Sequence, residues 1–415
     1  MAPHKTTTEV YGQREQIDFK GLEPLLRRSF GDESLQVVHF DSTRLLPAGE
    51  NYCSIMIKLD VLVRQDNEEK MLHLVAKTPN PADNAVIEWP IVFKKELFMY
   101  VELCPLYREL DRESLIEECE VINIWPKYIG YRNSLQGGDK IDYDSSMLLE
   151  NLKHHGFYTF DKRQGLDVEH ARKALTSLAK YHALGIAMKQ KRPAMAKKAI
   201  TQARVLGIDF VHMNDGYDNV MQTFQEEPAL QTHMSAIESC FEQAKDGKPY
   251  KEMPIEPWAT ITHGDFWVNN MLFHKDEARN VDDVKFIDFQ TYLYSSPLKD
   301  LPYFFSGSLN KSAQTRYLKE LIDVYYKTFI KTLKRTGCDF SLFTRSSFDR
   351  ELKKQAIIQF PISALTCKFL VSDVETYGDE SNERVLNNVF NTKASDAFIN
   401  KLHALIEMYE EMRWF

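Results

Sequence analysis

The chain has 415 residues, of which 43% are hydrophobic and 27% are charged, with 17 glycines and 16 prolines. This composition excludes a collagen-like or largely disordered chain, and the length allows two lobes that each bury a core. The formal net charge of -8 argues against a nucleic-acid partner, because such partners are usually bound by a basic surface.

The first third of the chain predicts an antiparallel sheet that carries one helix. Apolar and polar residues alternate from Cys53 to Val63, which is the pattern of a half-buried strand, and a polar turn then leads to a return strand. The predicted elements are strands at Cys53 to Val63 and Leu72 to Lys77, a helix at Ile91 to Leu103 closed by Pro105, and strands at Glu120 to Ile124 and Met147 to Glu150.

After about Lys153 the apolar pattern takes the period of helices. Val168 to Ile186 presents one apolar face, and Asp167 is expected to cap its start. Tyr317 to Thr328 presents another face, in a helix that should stop at Gly337, and a last helix is predicted at Ala394 to Met412. The layout is therefore α+β, with a small β-rich part followed by a larger helical part.

A polar loop between two helical blocks has the residue types that phosphoryl transfer needs. His263-Gly264-Asp265 is followed, five residues after the aspartate, by Asn270, and a later apolar segment ends in Asp288-Phe289. A carboxylate can orient an attacking hydroxyl and accept its proton, and Asn and Asp oxygens are hard ligands for Mg2+. We expect Asp265 and Asn270 to be catalytic, with Asn270 and Asp288 holding metal. The alternative is a merely solvated loop of a hydrophobic hairpin.

This block resembles the kinase-like superfamily that includes choline kinases and aminoglycoside phosphotransferases, and most closely the ecdysteroid kinase-like family of insects. The narrower resemblance is carried by the runs HGDFWVNNMLF at His263 to Phe273 and FIDFQ at Phe286 to Gln290, supported by GENYCS at Gly49 to Ser54 and LAKYHAL at Leu178 to Leu184. It extends from about Gly21 to the C-terminus.

The resemblance implies a protein kinase-like two-lobe fold. Its N-terminal ATP-binding lobe would span residues 1–151, and its C-terminal catalytic and acceptor-binding lobe would span residues 152–415. ATP and Mg2+ would bind in the cleft between the lobes.

The resemblance also places site residues in the N-terminal lobe. Lys77 matches the family's lysine that contacts the ATP phosphates, and is therefore counted with the catalytic residues. Glu96, nineteen positions later on the early helix, matches its partner glutamate. An ion pair would keep the lysine directed at phosphate. Judged by residue type alone, Lys77 is more often a solvated edge charge and Glu96 an ordinary surface charge.

The nucleotide contacts outside this pair are implied by the resemblance together with position in the chain. The chain has no GxGxxG motif, so Gly49 and Ser54 of the first hairpin would approach the phosphates, unless that hairpin is a bare turn. The backbone groups of Glu150 and Leu152, where the lobes should join, would contact the adenine edge.

Several polar residues near the motif are expected to be structural. His182 lies on an apolar helix face and should be a packed core histidine, whereas His263 should brace the loop through backbone hydrogen bonds. Asp300 matches a structural aspartate of the family. The pair His154-His155 should be a polar surface feature, because two adjacent histidines rarely suffice for a metal.

The resemblance implies ATP-dependent phosphorylation of a hydroxyl group on an ecdysteroid or a similar apolar alcohol, in hormone inactivation or detoxification. Some members of a set of aromatic and apolar residues would wall the acceptor site, although any one of them taken alone is more often core. The set is Phe266, Trp267, Tyr292, Leu293, Tyr294, Tyr303, Phe304 and Phe305.

Three alternatives remain. A choline-type kinase would need an acid-lined or aromatic-caged pocket, for which no acidic cluster is clearly placed. A pseudokinase binding module would commonly lack one of Lys77, Asp265, Asn270 and Asp288. A protein kinase is least favoured, because Gly264 stands where protein kinases have arginine and Asp288 is followed by Phe-Gln.

The cysteines and the N-terminus indicate a cytoplasmic protein. The six cysteines are scattered without a CxxC pair, which predicts free thiols in a reducing compartment. Met1 to Phe19 lacks the apolar core of a secretory signal, and no run approaches the roughly 18 apolar residues of a membrane span. A monomer with a small-molecule alcohol as its partner is expected.

Overall fold

The structure is a computed structural model that describes residues 17–45, 54–66, 68–80, 88–114, 117–207, 213–372, 388–390 and 392–415. Contacts between residues divide the chain into two compact units, Met1–Asn80 with Ile129–Asn151, and Pro81–Tyr128 with Leu152–Phe415. The predicted ranges 1–151 and 152–415 share the boundary after Asn151, but residues 81–128 belong to the second unit. One reason is that the ring of Tyr100 packs against that of Phe289, with centroids 6.1 Å apart.

The first unit is a five-stranded sheet with one helix. The strand order is β1-β2-β3-β5-β4, and β2 pairs with β3 in antiparallel register from Ser54 opposite Pro79 to Gln65 opposite Glu68. Its elements are α1 Leu22–Phe30, β1 Gln36–Arg44, β2 Ser54–Gln65, β3 Glu68–Pro79, β4 Tyr128–Arg132 and β5 Ser146–Glu150.

Alternation along β2 builds the core of this unit. Ile57, Leu59 and Val61 are buried, and they form one cluster with Leu25 and Leu26 of α1. Each such side chain contributes about 1.5–3 kcal/mol by leaving water. The predicted hairpin of the first third is confirmed.

Two predictions in residues 81–128 are wrong. Pro105 does not end a helix, because α2 Trp89–Phe98 runs through a π-helical turn, Met99–Leu103, into α3 Cys104–Arg112. Pro105 lies in the first turn of α3, where its missing N–H is tolerated. Glu120 to Ile124 is not a strand; a 3-10 turn at Glu118–Glu120 is followed by a loop, and the strand forms later, at β4.

The second unit is mostly helical, as predicted. Its further helices are α4 Val168–Lys191, α5 Pro193–Ala203, α6 Met213–Glu226, α7 Met234–Ala244, α8 Lys248–Lys251, α9 Asp300–Ser308, α10 Lys311–Arg316, α11 Leu318–Arg335, α12 Arg345–Val371 and α13 Asp396–Glu411. The small β-rich part and the larger helical part confirm the predicted α+β class. Within the described residues, no helix is long and apolar enough to cross a membrane.

Local signals in the sequence account for several helix ends. The Asp167 side chain accepts hydrogen bonds from the backbone N–H groups of Glu169 and His170, so the predicted cap of α4 is confirmed. After α11 the chain turns at Gly337, whose φ of 65° favours glycine.

Two small sheets in the second unit position the polar loop. β7 Thr260–Ile261 pairs with β10 Tyr294–Ser295, and β6 Tyr158–Thr159, β8 Met271–Lys275 and β9 Val281–Phe286 form a three-stranded sheet. β8 and β9 are a hairpin with Met271 opposite Phe286, so the loop before β8 and the residues after β9 emerge at the same end.

Candidate active site

The loop that precedes β8 is held by the first residue of α9. The Asp300 carboxylate accepts the backbone N–H of His263 at 2.7 Å and that of Gly264 at 3.1 Å. Gly264 has a φ of 84°, and a Cβ there would lie 2.4 Å from the carbonyl oxygen of Thr291. Only glycine fits this position, and the direction in which the chain enters Asp265 is therefore fixed.

The Asp265 carboxylate has a donor on each oxygen. The Tyr303 hydroxyl donates to Oδ1 at 2.8 Å, and Asn270 Nδ2 donates to Oδ2 at 2.8 Å. Asn270 Nδ2 also donates to the backbone carbonyl of Asp265 at 2.9 Å. Both of these hydrogen bonds use the amide nitrogen of Asn270, so its amide oxygen, Oδ1, is left for another ligand.

The environment of Asp265 suits a base that acts near neutral pH. Although the residue as a whole is half-buried, burial of its carboxyl and then the charge of Asp288 raise its pKa from 3.8 to about 6. The hydrogen bonds from Tyr303 and Asn270 act in the opposite direction. A carboxylate with this pKa is ionised at pH 7 yet more basic than an ordinary aspartate.

Asp288 follows the hairpin and meets the same loop. The backbone N–H of Ile287 donates to the Asn270 carbonyl at 3.1 Å. Because Asp288 is the next residue, this hydrogen bond brings the backbones of the two predicted metal ligands, Asn270 and Asp288, close together. Asp288 has a φ of 66°, a left-handed conformation that aspartate adopts more readily than most residues.

The donor set fits Mg2+ bound through substrate phosphates. An amide oxygen of Asn270 and the Asp288 carboxylate are hard ligands, and Mg2+ commonly uses one or two carboxylates with phosphates and water. Across the described residues there is no group of three or more His, Cys, Asp or Glu residues that could hold a metal.

The two histidines of the region are structural, as predicted. His263 Nε2 donates to the Ile287 carbonyl at 3.1 Å, its ring lies 4.6 Å from that of Phe289, and burial lowers its pKa, so it stays neutral. His182 is fully buried, with Nε2 3.1 Å from Asp300 and Nδ1 2.8 Å from Tyr325. His154 and His155 are exposed.

The aspartate that holds the loop is itself electrostatically stabilised. Burial acts to raise the pKa of Asp300, but the hydrogen bonds from the His182 ring and from the backbone N–H of His263 act more strongly in the opposite direction, and the pKa lies below 3.8. Asp300 is therefore a structural anchor, as the resemblance implied.

Glu96 lies on α2 in the second unit and is buried, with 2% of its surface exposed. The pKa of Tyr100, one turn later, is raised well above its usual value by burial and then by the charges of Glu96, Cys104 and Asp288. Glu96 and Asp288 thus act on one buried side chain, and the interpretation of Glu96 as a surface charge is wrong.

Lys77 lies on the central strand of the first unit. It is 3% exposed and sits opposite Met56 on β2 and Met147 on β5, so the interpretation as a solvated edge charge is also wrong. Its pairing with Glu96 stays a prediction.

The other predicted nucleotide residues have the following positions. Ser54 begins β2 and is buried, Glu150 ends β5 opposite Leu74, and Leu152 is buried at the start of the second unit. Gly49 lies outside the described residues. Their roles stay predictions.

Sequence reasoning missed the contact between Tyr303 and Asp265. The available signal was the spacing of Asp300 and Tyr303, which three positions apart must share a helix face. The predicted acceptor wall is largely core, since Phe266, Tyr292, Phe304 and Phe305 are fully buried and Leu293 nearly so; Trp267, Tyr294 and Tyr303 are half-buried.

The chain is a small-molecule phosphotransferase that acts on a hydroxyl group. It belongs to the Ecdysteroid kinase-like family, whose model matches residues 48–338, well over half of the chain. No curated protein matches the sequence significantly.

Solved structures of small-molecule kinases show a loose similarity of fold. A choline kinase from Cryptosporidium parvum Iowa II is 12% identical, covers 90% of this chain and 91% of its own, and has a TM-score of 0.43. An ethanolamine kinase from Plasmodium vivax is 11% identical, covers 90% and 81%, and has a TM-score of 0.40. A GDP complex of wild-type aminoglycoside 2'-phosphotransferase-IIIa is 15% identical, covers 88% and 97%, and has a TM-score of 0.36.

Proposed function

We propose that this protein transfers the γ-phosphoryl group of ATP to a hydroxyl group of a small molecule, with Asp265 as the base. The observation that carries the proposal is the arrangement around Asp265. Its carboxylate is fixed by two donors and has a pKa of about 6, and the Asn270 side chain that fixes it leaves its own oxygen for a metal.

In the proposed reaction the acceptor hydroxyl donates a hydrogen bond to Asp265 and attacks the γ-phosphorus. The new O–P bond forms as the bond to the ADP oxygen breaks, and the hydroxyl proton passes to the carboxylate. Mg2+ held by Asn270 and Asp288 would neutralise charge on the phosphate oxygens. Lys77 would contact the phosphates, and Glu96 would orient Lys77.

The remaining nucleotide contacts are also part of the proposal. Gly49 and Ser54 would approach the phosphates through backbone amides and a hydroxyl, and the backbone of Glu150 and Leu152 would contact adenine.

The proposed acceptor is an ecdysteroid or another apolar alcohol, in hormone inactivation or detoxification. Membership of the Ecdysteroid kinase-like family supports this class. Around Asp265, fewer aromatic side chains are partly exposed than the sequence predicted. Trp267 lies two residues after Asp265 in the chain, and the Tyr303 hydroxyl contacts the Asp265 carboxylate directly.

The test is a transfer assay with purified protein, ATP, Mg2+ and a panel of ecdysteroids, sterols, glycosides and choline. A mass increase of one phosphate on an apolar alcohol, absent with Asp265→Asn, is the expected result. Saturable phosphorylation of choline with none of the apolar alcohols would overturn the acceptor class. Nucleotide binding without transfer to any acceptor would instead indicate a binding module.

We further propose that the protein works as a monomer in the cytoplasm. All five cysteines within the described residues are free, which suits a reducing compartment. Light scattering during gel filtration should give the mass of one 48.3 kDa chain.

A further inference from the structure

One helix holds both the backbone and the side chain of the proposed base. Asp300, the first residue of α9, accepts the N–H groups of His263 and Gly264. Tyr303, one turn later on the same helix, donates its hydroxyl to Asp265 Oδ1 at 2.8 Å. Two residues of a single helix face therefore set where the loop lies and how its carboxylate is turned.

We propose that Tyr303 is a positioning residue for phosphoryl transfer, whose hydroxyl fixes the plane of the Asp265 carboxylate so that a lone pair meets the acceptor hydroxyl. This inference rests on the proposed function, because it assumes that Asp265 receives the acceptor proton.

The geometry supports a fixed plane because the two donors act on different oxygens. Tyr303 holds Oδ1, and Asn270 holds Oδ2 at 2.8 Å, so rotation of the carboxylate about its Cβ–Cγ bond would break both hydrogen bonds. Each oxygen accepts through two lone pairs, which leaves a free direction for the acceptor hydroxyl. A base held in this way before the acceptor arrives needs no reorganisation during transfer.

Tyr303 can serve only as a donor in this arrangement. Burial, and then the negative charge of Asp265, raise its pKa well above its usual value, so the phenol stays protonated.

The test is Tyr303→Phe, which removes one oxygen atom and keeps the ring. We expect kcat to fall about 10- to 100-fold, the range found when a reacting group is slightly misplaced. The KM for ATP should stay unchanged and the thermal midpoint should fall by no more than about 2 °C, because one hydrogen bond is lost while the nucleotide contacts and the packing of the ring are kept. A purely structural role would instead lower the thermal midpoint further and raise KM without a specific loss of kcat.

Tyr181→Phe is the matched control. Tyr181 is fully buried on α4, and its hydroxyl has no hydrogen-bond partner among the described residues. The same atom is removed from the same unit, and kcat should not change. Unchanged kcat in Tyr303→Phe, or equal losses in both variants, would overturn the inference.

Asp265→Asn separates this inference from the proposed function. If Asp265→Asn retains transfer, Asp265 is not the base and the proposed function fails. If Asp265→Asn abolishes transfer and Tyr303→Phe keeps full kcat, the positioning role alone fails. Should Tyr303→Phe not fold, Tyr303→Met, which also lacks the hydroxyl, is expected to lower kcat by a similar factor of about 10 to 100; an unchanged kcat there would overturn the role.

Discussion

Replacing Asp265 by asparagine is expected to abolish phosphoryl transfer and to stabilise the fold at neutral pH. The folded protein raises the pKa of this carboxyl from 3.8 to about 6, mainly by burial and then through the charge of Asp288. The folded state therefore binds the proton more tightly than the unfolded state. The contribution of this carboxyl to stability is present below about pH 4 and is lost as the pH rises through about 6.

The magnitude follows from the size of this pKa shift. Two pKa units correspond to about 3 kcal/mol, which water around the half-buried residue reduces to about 2 kcal/mol. The asparagine amide can accept from only one of Tyr303 and Asn270, which costs about 1 kcal/mol. The variant should be more stable than the wild type by about 1 kcal/mol at pH 7, and less stable by a similar amount near pH 4.

The assay is urea unfolding of the wild type and the variants at several pH values between 3 and 8, without nucleotide or Mg2+. Asp300→Asn is the control of opposite sign, because the pKa of Asp300 is lowered in the folded state. That variant should be destabilised at pH 7, and its loss should shrink as the pH falls below about 4. A stability difference between Asp265→Asn and wild type that does not change with pH would refute the reasoning.

Three further outcomes are expected. Asp288→Ala should abolish transfer and weaken Mg2+-dependent ATP binding in calorimetry, whereas Asp265→Ala should abolish transfer and keep nucleotide affinity; equal loss of binding would contradict these roles. Lys77→Ala should lower kcat more than Glu96→Ala does, and additive effects in the double variant would mean that the two side chains do not meet. Lys299→Met should raise the free energy of unfolding at pH 7 by about 2 kcal/mol. Burial of the Lys299 ammonium lowers its pKa to about 7, which means that the folded state pays a cost for the charge. The Tyr250 ring, whose centroid lies 3.7 Å from the ammonium, offsets only part of this cost. This gain should shrink as the pH rises towards 10, and a gain that does not depend on pH would contradict the explanation.

The features that the sequence predicted well depend on neighbours in the chain. The cap at Asp167 and the helix end at Gly337 each involve residues within one helical turn. Asp265 and Asn270 are five positions apart and meet within one loop. Local spacing is sufficient for such contacts.

The features that the sequence missed depend on distant packing. Tyr303 reaches Asp265 across 38 positions, and its spacing of three from Asp300 does not distinguish it from the buried Phe304, which lies four positions from Asp300. Both rings look apolar and aromatic in the sequence, but only the angle of α9 decides which of them meets a carboxylate.

The π-helical turn at Met99–Leu103 has a consequence for which insertions and deletions the chain tolerates. Each residue of a helix turns the chain by about 100°, so deleting one residue here would rotate α3 by that angle relative to α2. Glu96 before the turn and Asp111 after it are both buried charges, and Asp111 bonds both the Ile122 N–H and Arg335. If one residue were deleted and the helix became regular, only one of these two carboxylates could keep its buried position. The extra residue of the π-helical turn therefore sets the rotation about the helix axis between two buried carboxylates. We expect the length of this turn to tolerate mutation less than its side chains do.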